Sequence, residues 1–308
     1  MIDVLTIGDS SIDLYMKIAE DSVVSEDTKI CFYHGSKIPV DHFETSIAGN
    51  AINVAVGCTS FGLKTMIYTE IGNDSGADRI VSELNALGID TTYCNKNPGI
   101  DTNLHSIVVA AGERTIFSHH GPKDYEIKDW EVPKWIYYTS LGEGFEKFQA
   151  ELVSYLEQNE GVGTAFNPGT FQMRAGVEHL QNILNVVDIL FVNREEAERL
   201  TDTKNLEIEE LHTKLQELGP KLTVITEGKE GASAHDGKKL EKIHAISDNR
   251  PIVDKTGAGD AFSSGFLSAI VCGKSLQEAL NWGSINAGNV IKEIGSIKGL
   301  ATREDVLQ

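Results

Sequence analysis

The sequence predicts an α/β protein with a three-layer, doubly wound and mostly parallel sheet. Short apolar runs recur in the second half of the chain, and such runs are typical of strands that are buried on both faces. Helical stretches separate these runs, and strands that alternate with helices favour parallel βαβ units. We expect strands at 4–8, Trp135–Tyr138, 163–167, Ile189–Asn193 and Leu222–Thr226, and helices at 145–158, 173–186, 195–201 and 207–218.

Two segments interrupt this rhythm. Residues 14–18 and 29–33 look like strands separated by a polar loop, and a similar pair recurs at 106–110 and 115–118. The residues between the second pair, 111–114, are typical of a hairpin turn. Two strand pairs inside an α/β chain predict a small separate sheet. We therefore expect a core of residues 1–13, 48–97 and 123–308, and an inserted sheet of residues 14–47 and 98–122.

Composition limits the class of protein. A chain of 308 residues that is 41% hydrophobic and 24% charged can bury a large core and fits one α/β domain with an appendage. The net charge of −19 argues against a nucleic-acid or anionic-membrane partner, because both need a basic surface. The four cysteines are scattered without a C-x-x-C pair, as in a reducing compartment. No apolar run reaches membrane-spanning length and the chain begins directly in a predicted strand, so we expect a cytoplasmic protein without a signal peptide.

Residues 254–262, Asp-Lys-Thr-Gly-Ala-Gly-Asp-Ala-Phe, carry the clearest chemistry. They follow an apolar segment, 251–253, that we interpret as the end of a strand, and they open a helix with an apolar face. Two glycines let several backbone N–H groups point the same way at a helix N-terminus, which favours an anion. Asp260 stands in this anion site, and a carboxylate fits there if it accepts the proton of a hydroxyl that attacks a phosphate. The alternative is that Asp260 caps the helix.

Polar side chains after other predicted strands indicate where ligands bind. Asp13 follows the first strand, where it either accepts hydrogen bonds from substrate hydroxyls or serves as a turn residue. Residues 48–55 bring a glycine and two amides to a helix, a composition that suits hydroxyl ligands or simply a buried helix. Asn193 and Glu196 begin another helix, and their oxygen atoms suit Mg²⁺ as well as a helix cap.

These stretches resemble the signatures of the ribokinase-like (PfkB) carbohydrate kinases. Residues 254–262 are similar to D-T-x-G-A-G-D-x-F, with Lys255 in the place of the usual Thr. Residues 48–55 are similar to G-G-x-x-x-N-x-A, with Ala48 in the place of the first glycine. The family's N-x-x-E, T-x-G-x-x-G and G-x-D-x-x-G motifs have counterparts at 193–196, 226–231 and 71–76. The resemblance covers nearly the whole chain.

The resemblance implies a role for each matching residue. Asp260 would be the catalytic base, with Gly257, Ala258 and Gly259 as the anion hole. The substrate is expected at Asp13, Gly49, Asn50 and Asn53, and the nucleotide at Asn193, Thr226, Gly228, Thr256, Gly257, Gly259 and Asn286. Mg²⁺ is expected at Glu196 and Asn193 through water, and a monovalent cation such as K⁺ at Asp254, Thr256, Gly295 and Ser296. The alternatives are a buried helix amide for Asn286 and an ordinary hairpin for the 226–231 turn.

The resemblance predicts an ATP-dependent kinase that phosphorylates a hydroxyl of a small sugar or sugar acid, with ATP and Mg²⁺ as cofactors. The small sheet would be a lid over the substrate. Its predicted strands carry apolar residues on both faces, so we expect a homodimer that forms through the lids. In the alternative, the protein's own loop at 19–28 covers the outer face and the protein is a monomer.

Other functions stay open. A nucleoside kinase of the same fold would need an apolar shelf for a base, which Tyr15, Phe32 or Phe117 could supply. A non-catalytic binding protein would not need Asp260 together with the glycines beside it, and both are present. A sugar-phosphate kinase is disfavoured, because Asn50 stands where such members of the family often have a phosphate-binding lysine.

Overall fold

Strands and helices alternate through most of the computed structural model, which describes residues 1–19, 24–26, 29–110, 113–246 and 250–307. The strands are β1 (Val4–Ile7), β2 (Ser11–Ile18), β3 (Val24–Glu26), β4 (Lys29–Cys31), β5 (Val40–Ala48), β6 (Thr65–Gly72), β7 (Asp90–Asn97), β8 (Asn103–Ala110), β9 (Glu113–His119), β10 (Trp135–Tyr138), β11 (Gly163–Phe166), β12 (Ile189–Asn193), β13 (Leu222–Thr226), β14 (Ala232–His235) and β15 (Leu240–Ile243). The helices are α1 (Asn50–Ser60), α2 (Ser75–Ala86), α3 (Phe145–Gln158), α4 (Thr170–Ala175), α5 (Val177–Leu184), α6 (Arg194–Leu200), α7 (Ile208–Glu217), α8 (Ala258–Val271), α9 (Leu276–Val290) and α10 (Arg303–Val306). Within the described ranges, none of the helices is long and apolar enough to cross a membrane.

The large sheet has nine strands, with β1 between β10 and β6. The strand order is β15-β14-β13-β12-β11-β10-β1-β6-β7. Neighbouring strands from β7 to β13 are parallel, and only β14 and β15 pair antiparallel. The predicted mostly parallel sheet is therefore confirmed. The carboxyl ends of its parallel strands meet along one edge, which is where ligands bind in sheets of this kind.

Helices cover both faces of the large sheet. Successive residues of a strand point to opposite faces, so Tyr137 packs into one apolar cluster and Tyr138 into another. Helices α3, α5 and α7 cover the Tyr138 face, whereas α1, α8 and α9 cover the Tyr137 face. On the Tyr137 face, the ring of Phe61 stacks on the ring of Trp282, and the two ring centroids are 5.3 Å apart. These three layers confirm the predicted fold class.

A four-stranded sheet stands apart from the large one, in the order β5-β2-β8-β9. Strand β2 pairs antiparallel with β5 and parallel with β8, and β9 pairs antiparallel with β8. Strands β2, β8 and β9 lie where strands were expected, so the separate sheet is confirmed. Its fourth strand is β5 rather than the expected strand at 29–33, of which Lys29–Cys31 forms β4 and pairs with β3 in a separate two-stranded sheet. Turn residues 111 and 112 lie outside the described residues. The register places Asp13 beside His105 on one face and Leu14 beside Ser106 on the other. We call the first of these the inner face and the second the outer face.

Three features of the large unit differ from the sequence-based expectation. The expected helix at 173–186 is two helices, because Gly176 adopts a φ of 98° between α4 and α5. Residues 251–253 are irregular rather than a strand end, and the side chains of Ile252 and Val253 are exposed.

Strands β6 and β7 were not predicted, because both contain too many polar residues to read as buried strands. In β6, Glu70 is buried because it accepts hydrogen bonds from Tyr68 Oη at 2.7 Å and from the amides of Asn95 and Asn97 at 2.6 Å each.

His212 is fully buried where α7 packs on β13 and β14. Its Nδ1 lies 2.7 Å from Thr223 Oγ1 and its Nε2 lies 2.8 Å from Ser233 Oγ. Hydroxyl groups can donate or accept, so they satisfy the neutral ring in either tautomer. Burial, with a smaller effect from His235, lowers the pKa of His212 from its ordinary value of 6.5 to about 3. The ring is therefore neutral in the folded protein over a pH range in which the unfolded chain carries the charge.

We expect acid to destabilise the fold through His212. The unfolded chain binds a proton as the pH falls through 6.5, whereas the folded protein does not until a pH of about 3. The free energy of unfolding should therefore fall through this window, by at most about 1.4 kcal/mol per pH unit for this group. Urea denaturation at several pH values should show a flatter pH dependence for His212→Gln than for the wild type. The exposed control His179→Gln should follow the wild type, and equal slopes for all three proteins would contradict the prediction.

Candidate active site

A cavity with a volume of about 360 Å³ opens where the strands of the large sheet end and the small sheet begins. The large unit lines it with Thr226 at the end of β13, Asn193 at the end of β12 and Asp260 in the first turn of α8. The small sheet lines it with Asp13 and His105. Residues from both sheets therefore face the same space.

Asp260 is buried beside this cavity and is held by two amides of α1. Its Oδ2 accepts a hydrogen bond from Asn53 Nδ2 at 2.7 Å, and its Oδ1 accepts one from Asn50 Nδ2 at 3.2 Å. Ser296 Oγ donates to Asn53 Oδ1 at 2.7 Å. This bond orients the Asn53 amide so that its NH₂ group faces Asp260. The carboxylate is thus fixed in position by residues distant in sequence.

Burial raises the pKa of Asp260 from its ordinary value of 3.8 to about 6. The hydrogen bonds from Asn53 and Asn50 oppose this shift, and the nearby Glu196 carboxylate adds to it. A group with this pKa is mostly ionised at pH 7 and is a stronger proton acceptor than an ordinary aspartate. Asp260 therefore has the protonation behaviour that a general base needs.

The residues before Asp260 form a turn that suits an anion. Gly257 precedes α8 with a φ of 75°, and a Cβ at this position would lie 2.5 Å from Ser296 Cβ, so the turn needs glycine. A Cβ on Gly259 would meet no atom within 4 Å, so there is room in front of the turn. The N-terminus of α8 has no side-chain cap, so Asp260 does not cap it. The Ala258 N–H donates to Lys255 O at 3.4 Å, and the N–H groups of Gly259 and Asp260, together with the helix dipole, favour a negatively charged ligand.

Asp13 and His105 provide polar groups on the small-sheet side of the cavity. Asp13 Oδ1 accepts a hydrogen bond from Ser11 Oγ at 3.1 Å and lies 3.1 Å from His105 Nδ1. The other ring nitrogen of His105 lies 3.3 Å from His120 Nε2. Gly49, at the start of α1, has a φ of 110° and no room for a Cβ, so its backbone borders the cavity directly. These groups both donate and accept, as a ligand rich in hydroxyls requires.

Asn193 and Glu196 cap the start of α6 at the edge of the cavity. The backbone N–H of Asn193 donates to Glu196 Oε2, and that of Glu196 donates to Asn193 Oδ1, each at 2.9 Å. Burial raises the pKa of Glu196, whereas Glu195 is exposed and does not line the cavity. Across the described ranges no three acidic, histidine or cysteine side chains are grouped as a metal site. The side-chain oxygens of Asn193 and Glu196 are of the kind that Mg²⁺ prefers.

Most of the predicted site residues line this one cavity. Asp254 and Gly295 lie directly beside it, and the Gly295 N–H donates to Asp254 Oδ2 at 3.2 Å. Gly228 begins a 3₁₀ turn after Thr226 and does not line the cavity. Strands β13 and β14 on either side of this turn pair antiparallel, so residues 226–231 form the ordinary hairpin that was the alternative to a nucleotide-binding turn. The predicted residues on the lining are Asp13, Gly49, Asn50, Asn53, Asn193, Glu196, Thr226, Thr256, Gly257, Ala258, Gly259, Asp260 and Ser296.

Asn286 lies in the core rather than at the cavity. It is fully buried, and its Nδ2 donates to Ala261 O at 2.7 Å and to Ser264 Oγ at 3.2 Å. Its Oδ1 accepts a hydrogen bond from Ala301 N at 2.7 Å. These bonds use the side chain within the protein and join α9 to α8 behind Asp260. The geometry is that of the buried helix amide.

Besides Lys255 of the signature loop, four polar residues on the lining were not predicted as site residues: His105, Arg114, Asn167 and Ser263. Asn167 follows β11, and its position at the carboxyl end of a predicted strand is a signal that could have found it. The sequence around His105 and Arg114 gives no such signal. Arg114 lies next to a turn sequence, and its neighbours in the site are far away along the chain.

Comparison with known proteins places the chain in a family. Residues 1–303 match the pfkB family of carbohydrate kinases. The chain belongs to this family. It is 24% identical to the ATP-dependent 6-phosphofructokinase of Thermoanaerobacterium thermosaccharolyticum, over 97% of this chain and 90% of that protein. It is 28% identical to a nucleoside kinase of Methanothermobacter thermautotrophicus, over 80% of this chain and 79% of that protein. The structure of Arabidopsis thaliana ribokinase complexed with ribose and ATP superposes with a TM-score of 0.82 at 21% identity, over 99% of this chain and 97% of that chain.

This pfkB-family protein is thus a phosphotransferase with an alcohol group as acceptor. Kinases of the family use ATP, typically with Mg²⁺. The family resemblance of the sequence motifs is confirmed. The relatives are named for different acceptors, a sugar phosphate, a nucleoside and a sugar, so family membership does not fix the acceptor.

We expect Asp260→Asn to stabilise this pfkB-family protein at alkaline pH. The pKa of Asp260 is raised from 3.8 to about 6 on folding, so its contribution to stability is fully present below 3.8 and is lost as the pH rises through 6. An asparagine carries no charge to bury, so the melting temperature of the variant should exceed that of the wild type by a few degrees near pH 8. This advantage should shrink as the pH falls toward 4, while the exposed control Glu195→Gln should show no such trend. A variant less stable than the wild type at both pH values would contradict the prediction.

Proposed function

We propose that this pfkB-family kinase transfers the γ-phosphoryl group of ATP to a hydroxyl of a small sugar or sugar acid. The observation that carries the proposal is the placement of Asp260. A buried carboxylate of raised pKa lies next to an open anion-binding turn, and the same cavity contains the polar groups of Asp13 and His105. A base beside an anion site, with hydroxyl-binding groups in reach, suits the phosphorylation of an alcohol.

In this mechanism Asp260 accepts the proton of the acceptor hydroxyl. The hydroxyl oxygen forms a bond to the γ-phosphorus while the bond from that phosphorus to the bridging oxygen breaks, and ADP leaves with that electron pair. The backbone N–H groups of Gly257, Ala258 and Gly259 donate to the oxygens on which charge builds. Glu196 and Asn193 would hold Mg²⁺, mostly through water, and the ion supplies charge neutralisation on the phosphates.

The small sheet acts as a lid that positions the acceptor. Asp13, Gly49 and Asn53 orient the hydroxyl groups, and His105 adds a ring nitrogen on the same side. Holding the acceptor hydroxyl close to the γ-phosphate raises the rate of transfer, because the two reacting groups are already oriented when they are bound. Residues 14–47 and 98–122 are the lid in this proposal, and residues 1–13, 48–97 and 123–308 are the core. A K⁺ ion near Asp254 remains part of the proposal, and it would take the place of Arg114 Nη1, which donates to Asp254 Oδ1 at 2.8 Å. A cytoplasmic location also remains part of the proposal, on the basis of cysteine usage.

A nucleoside acceptor is the second candidate, and an aromatic cluster at the site favours it. The ring of His120 lies 5.1 Å from that of His105 and 6.2 Å from that of Phe171. Such rings can stack on a base. Of the earlier shelf residues, Tyr15 shares the inner face with Asp13, whereas Phe117 pairs with Ser106 on the outer face and Phe32 is exposed. Phe117 therefore points away from the site.

A panel of acceptors tests the function. ATP consumption should depend on one class among neutral sugars, sugar acids and nucleosides, and kcat/KM should fall below a pH of about 6 as Asp260 becomes protonated.

With the acceptor found in this panel, Asp260→Asn should lower turnover by a factor of about 100 or more and leave nucleotide affinity nearly intact. A variant that keeps over about a tenth of the wild-type turnover would exclude Asp260 as the base. Turnover with nucleosides alone would select the second candidate.

Glu196→Gln tests the metal assignment. The amide keeps the size of the side chain but loses the charge, so the Mg²⁺ concentration for half-maximal rate should rise more than the KM for the acceptor. The exposed neighbour provides a matched control, and Glu195→Gln should titrate like the wild type. An unchanged Mg²⁺ titration for Glu196→Gln would leave Glu196 with a capping role only.

The outer face of the small sheet supports the proposed homodimer. By the strand register, Phe43 and Phe117 both lie on this face, and they are 70% and 59% exposed. Ile30 and Ile38 cover another part of the small sheet by packing against Ile18, Val108 and Ala110. The loop at 19–28 that could close the face lies mostly outside the described residues. Apolar side chains left exposed on a sheet favour pairing with a second copy.

Light scattering at micromolar concentration should therefore give twice the chain mass of 33.6 kDa. Phe117→Ser should give the monomer mass, because it removes an apolar contact of the outer face. Ile252→Ser, at an exposed site on the core, should remain a dimer. A wild-type mass near 33.6 kDa at all concentrations would show that the protein is a monomer.

A further inference from the structure

A second cavity lies at the opposite edge of the large sheet from the candidate active site. Its volume is about 570 Å³, which is within the range of small-molecule sites. Trp135 and Gly163, the first residues of β10 and β11, line it together with Asp188 and Lys221, which directly precede β12 and β13. The carboxyl-terminal ends of α3 and α5 border the same space. None of the residues that the structure describes on this lining belongs to the signature motifs or to the mechanism above.

An aromatic ring forms part of the wall of this second cavity. A Cβ on Gly163 would lie 2.5 Å from both Cδ2 and Cε2 of Trp135, so the glycine allows the indole to pack directly against the backbone of β11. The Trp135 side chain is half-buried, whereas Trp130 and Trp282 are buried in the core. Trp135 therefore offers an aromatic surface to a ligand, and an indole ring attracts cations to its face.

The electrostatic environment of the second cavity is negative. Glu157 lies in the last turn of α3, at the negative end of the helix dipole, where an acid is unfavourable and a base is favourable. The last turns of α3 and α5, which lie wholly within the described residues, contain no basic residue. Asp188 adds a second carboxylate, and its Oδ2 accepts a hydrogen bond from the Thr164 N–H at 2.8 Å. Two carboxylates and the carboxyl-terminal ends of two helices therefore border one space.

Lys221 is the only cationic side chain among the described residues that line this cavity. Its Nζ lies 2.7 Å from Asp188 Oδ1, but its side chain is 76% exposed. An ion pair this exposed contributes little to stability, because water solvates both groups when they separate. Another cation can therefore replace Lys221 beside Asp188. An anion held by Lys221 would instead lie against both carboxylates and both helix ends.

We propose that this cavity is a second ligand site, which binds a small organic cation of the guanidinium or ammonium class. A planar guanidinium fits the lining best, because it stacks on an indole and donates two parallel hydrogen bonds to a carboxylate. Trp135 provides the stacking surface, and Asp188 and Glu157 provide the negative charge. Val162 and Val186 line the same space and suit the alkyl carbons of such a ligand. The inference is independent of the proposed function, because no active-site residue takes part in it.

Binding of n-butylguanidinium tests the site, with the neutral isostere n-butylurea as the matched ligand. Calorimetry with the full chain should give a dissociation constant of about 1 mM or below for the cation, and binding at least about tenfold weaker for the urea. Tryptophan fluorescence should change with the same midpoint, since the other two tryptophans of the chain are buried. Saturating Mg²⁺ and ADP should leave this dissociation constant unchanged. Equal binding of the urea, no saturable binding of the cation, or competition by the nucleotide would overturn the proposal.

Charge variants distinguish a cation site from an anion site. Glu157→Gln and Asp188→Asn should each weaken binding of n-butylguanidinium by about threefold or more, because each removes a negative charge from the lining. Lys221→Gln should strengthen binding by a similar factor, because it removes the ammonium group that competes for Asp188. The exposed pair Lys214 and Glu217 on α7 lies outside the lining, so Lys214→Gln and Glu217→Gln change the net charge equally and should leave binding unchanged. Weaker binding by Lys221→Gln, or control variants that change binding as much as the lining variants, would overturn the proposal.

Discussion

The buried carboxylate of Asp260 is the constraint on which the rest of the structure depends. A charged group with little access to water is unfavourable unless hydrogen bonds satisfy it, and here the donors are the amides of Asn53 and Asn50. These two residues begin α1, and Asp260 begins α8, so the helices have to meet at their N-terminal ends. The raised pKa of Asp260 shows that the compensation is incomplete. The part of the burial cost that the hydrogen bonds do not offset makes the Asp260 carboxylate a stronger proton acceptor.

Small residues allow the helices to approach closely enough for these bonds. A Cβ on Gly57 of α1 would lie 2.1 Å from Ser264 Oγ of α8, and a Cβ on Gly265 of α8 would lie 2.7 Å from Trp282 O of α9. Asn286 then ties α9 to the backbone of α8 from behind. The close packing of α1, α8 and α9 therefore places the Asp260 carboxylate within hydrogen-bonding distance of Asn50 and Asn53. A larger side chain at either glycine would move Asp260 as well as the helix.

The small sheet completes the site with groups that the large unit lacks. Asp13 and His105 bring acceptors and donors for hydroxyls, and Arg114 brings a cation to the signature loop. The chain as a whole carries a net charge of −19, so a phosphate ligand meets an unfavourable field outside the cavity. In the proposed function, local compensation comes from the turn before α8 and from the metal ion that would accompany the nucleotide.

The sequence by itself determined the fold class, the strands Trp135–Tyr138, Ile189–Asn193 and Leu222–Thr226, and the residues of the signature loop. Parallel strands buried on both faces must be apolar throughout, and an anion-binding turn needs glycines, so both leave local patterns. Strand β6 leaves no such pattern, because the partners that satisfy its buried Glu70 include residues of another strand. The tertiary structure alone decided that Asn286 belongs to the core, and that His105 and Arg114 line the cavity. Asp13 and His105 are 92 residues apart, and Arg114 and Asp254 are 140 residues apart. Contacts over such separations depend on strand register and on how the two sheets meet, and neither is encoded in a local pattern.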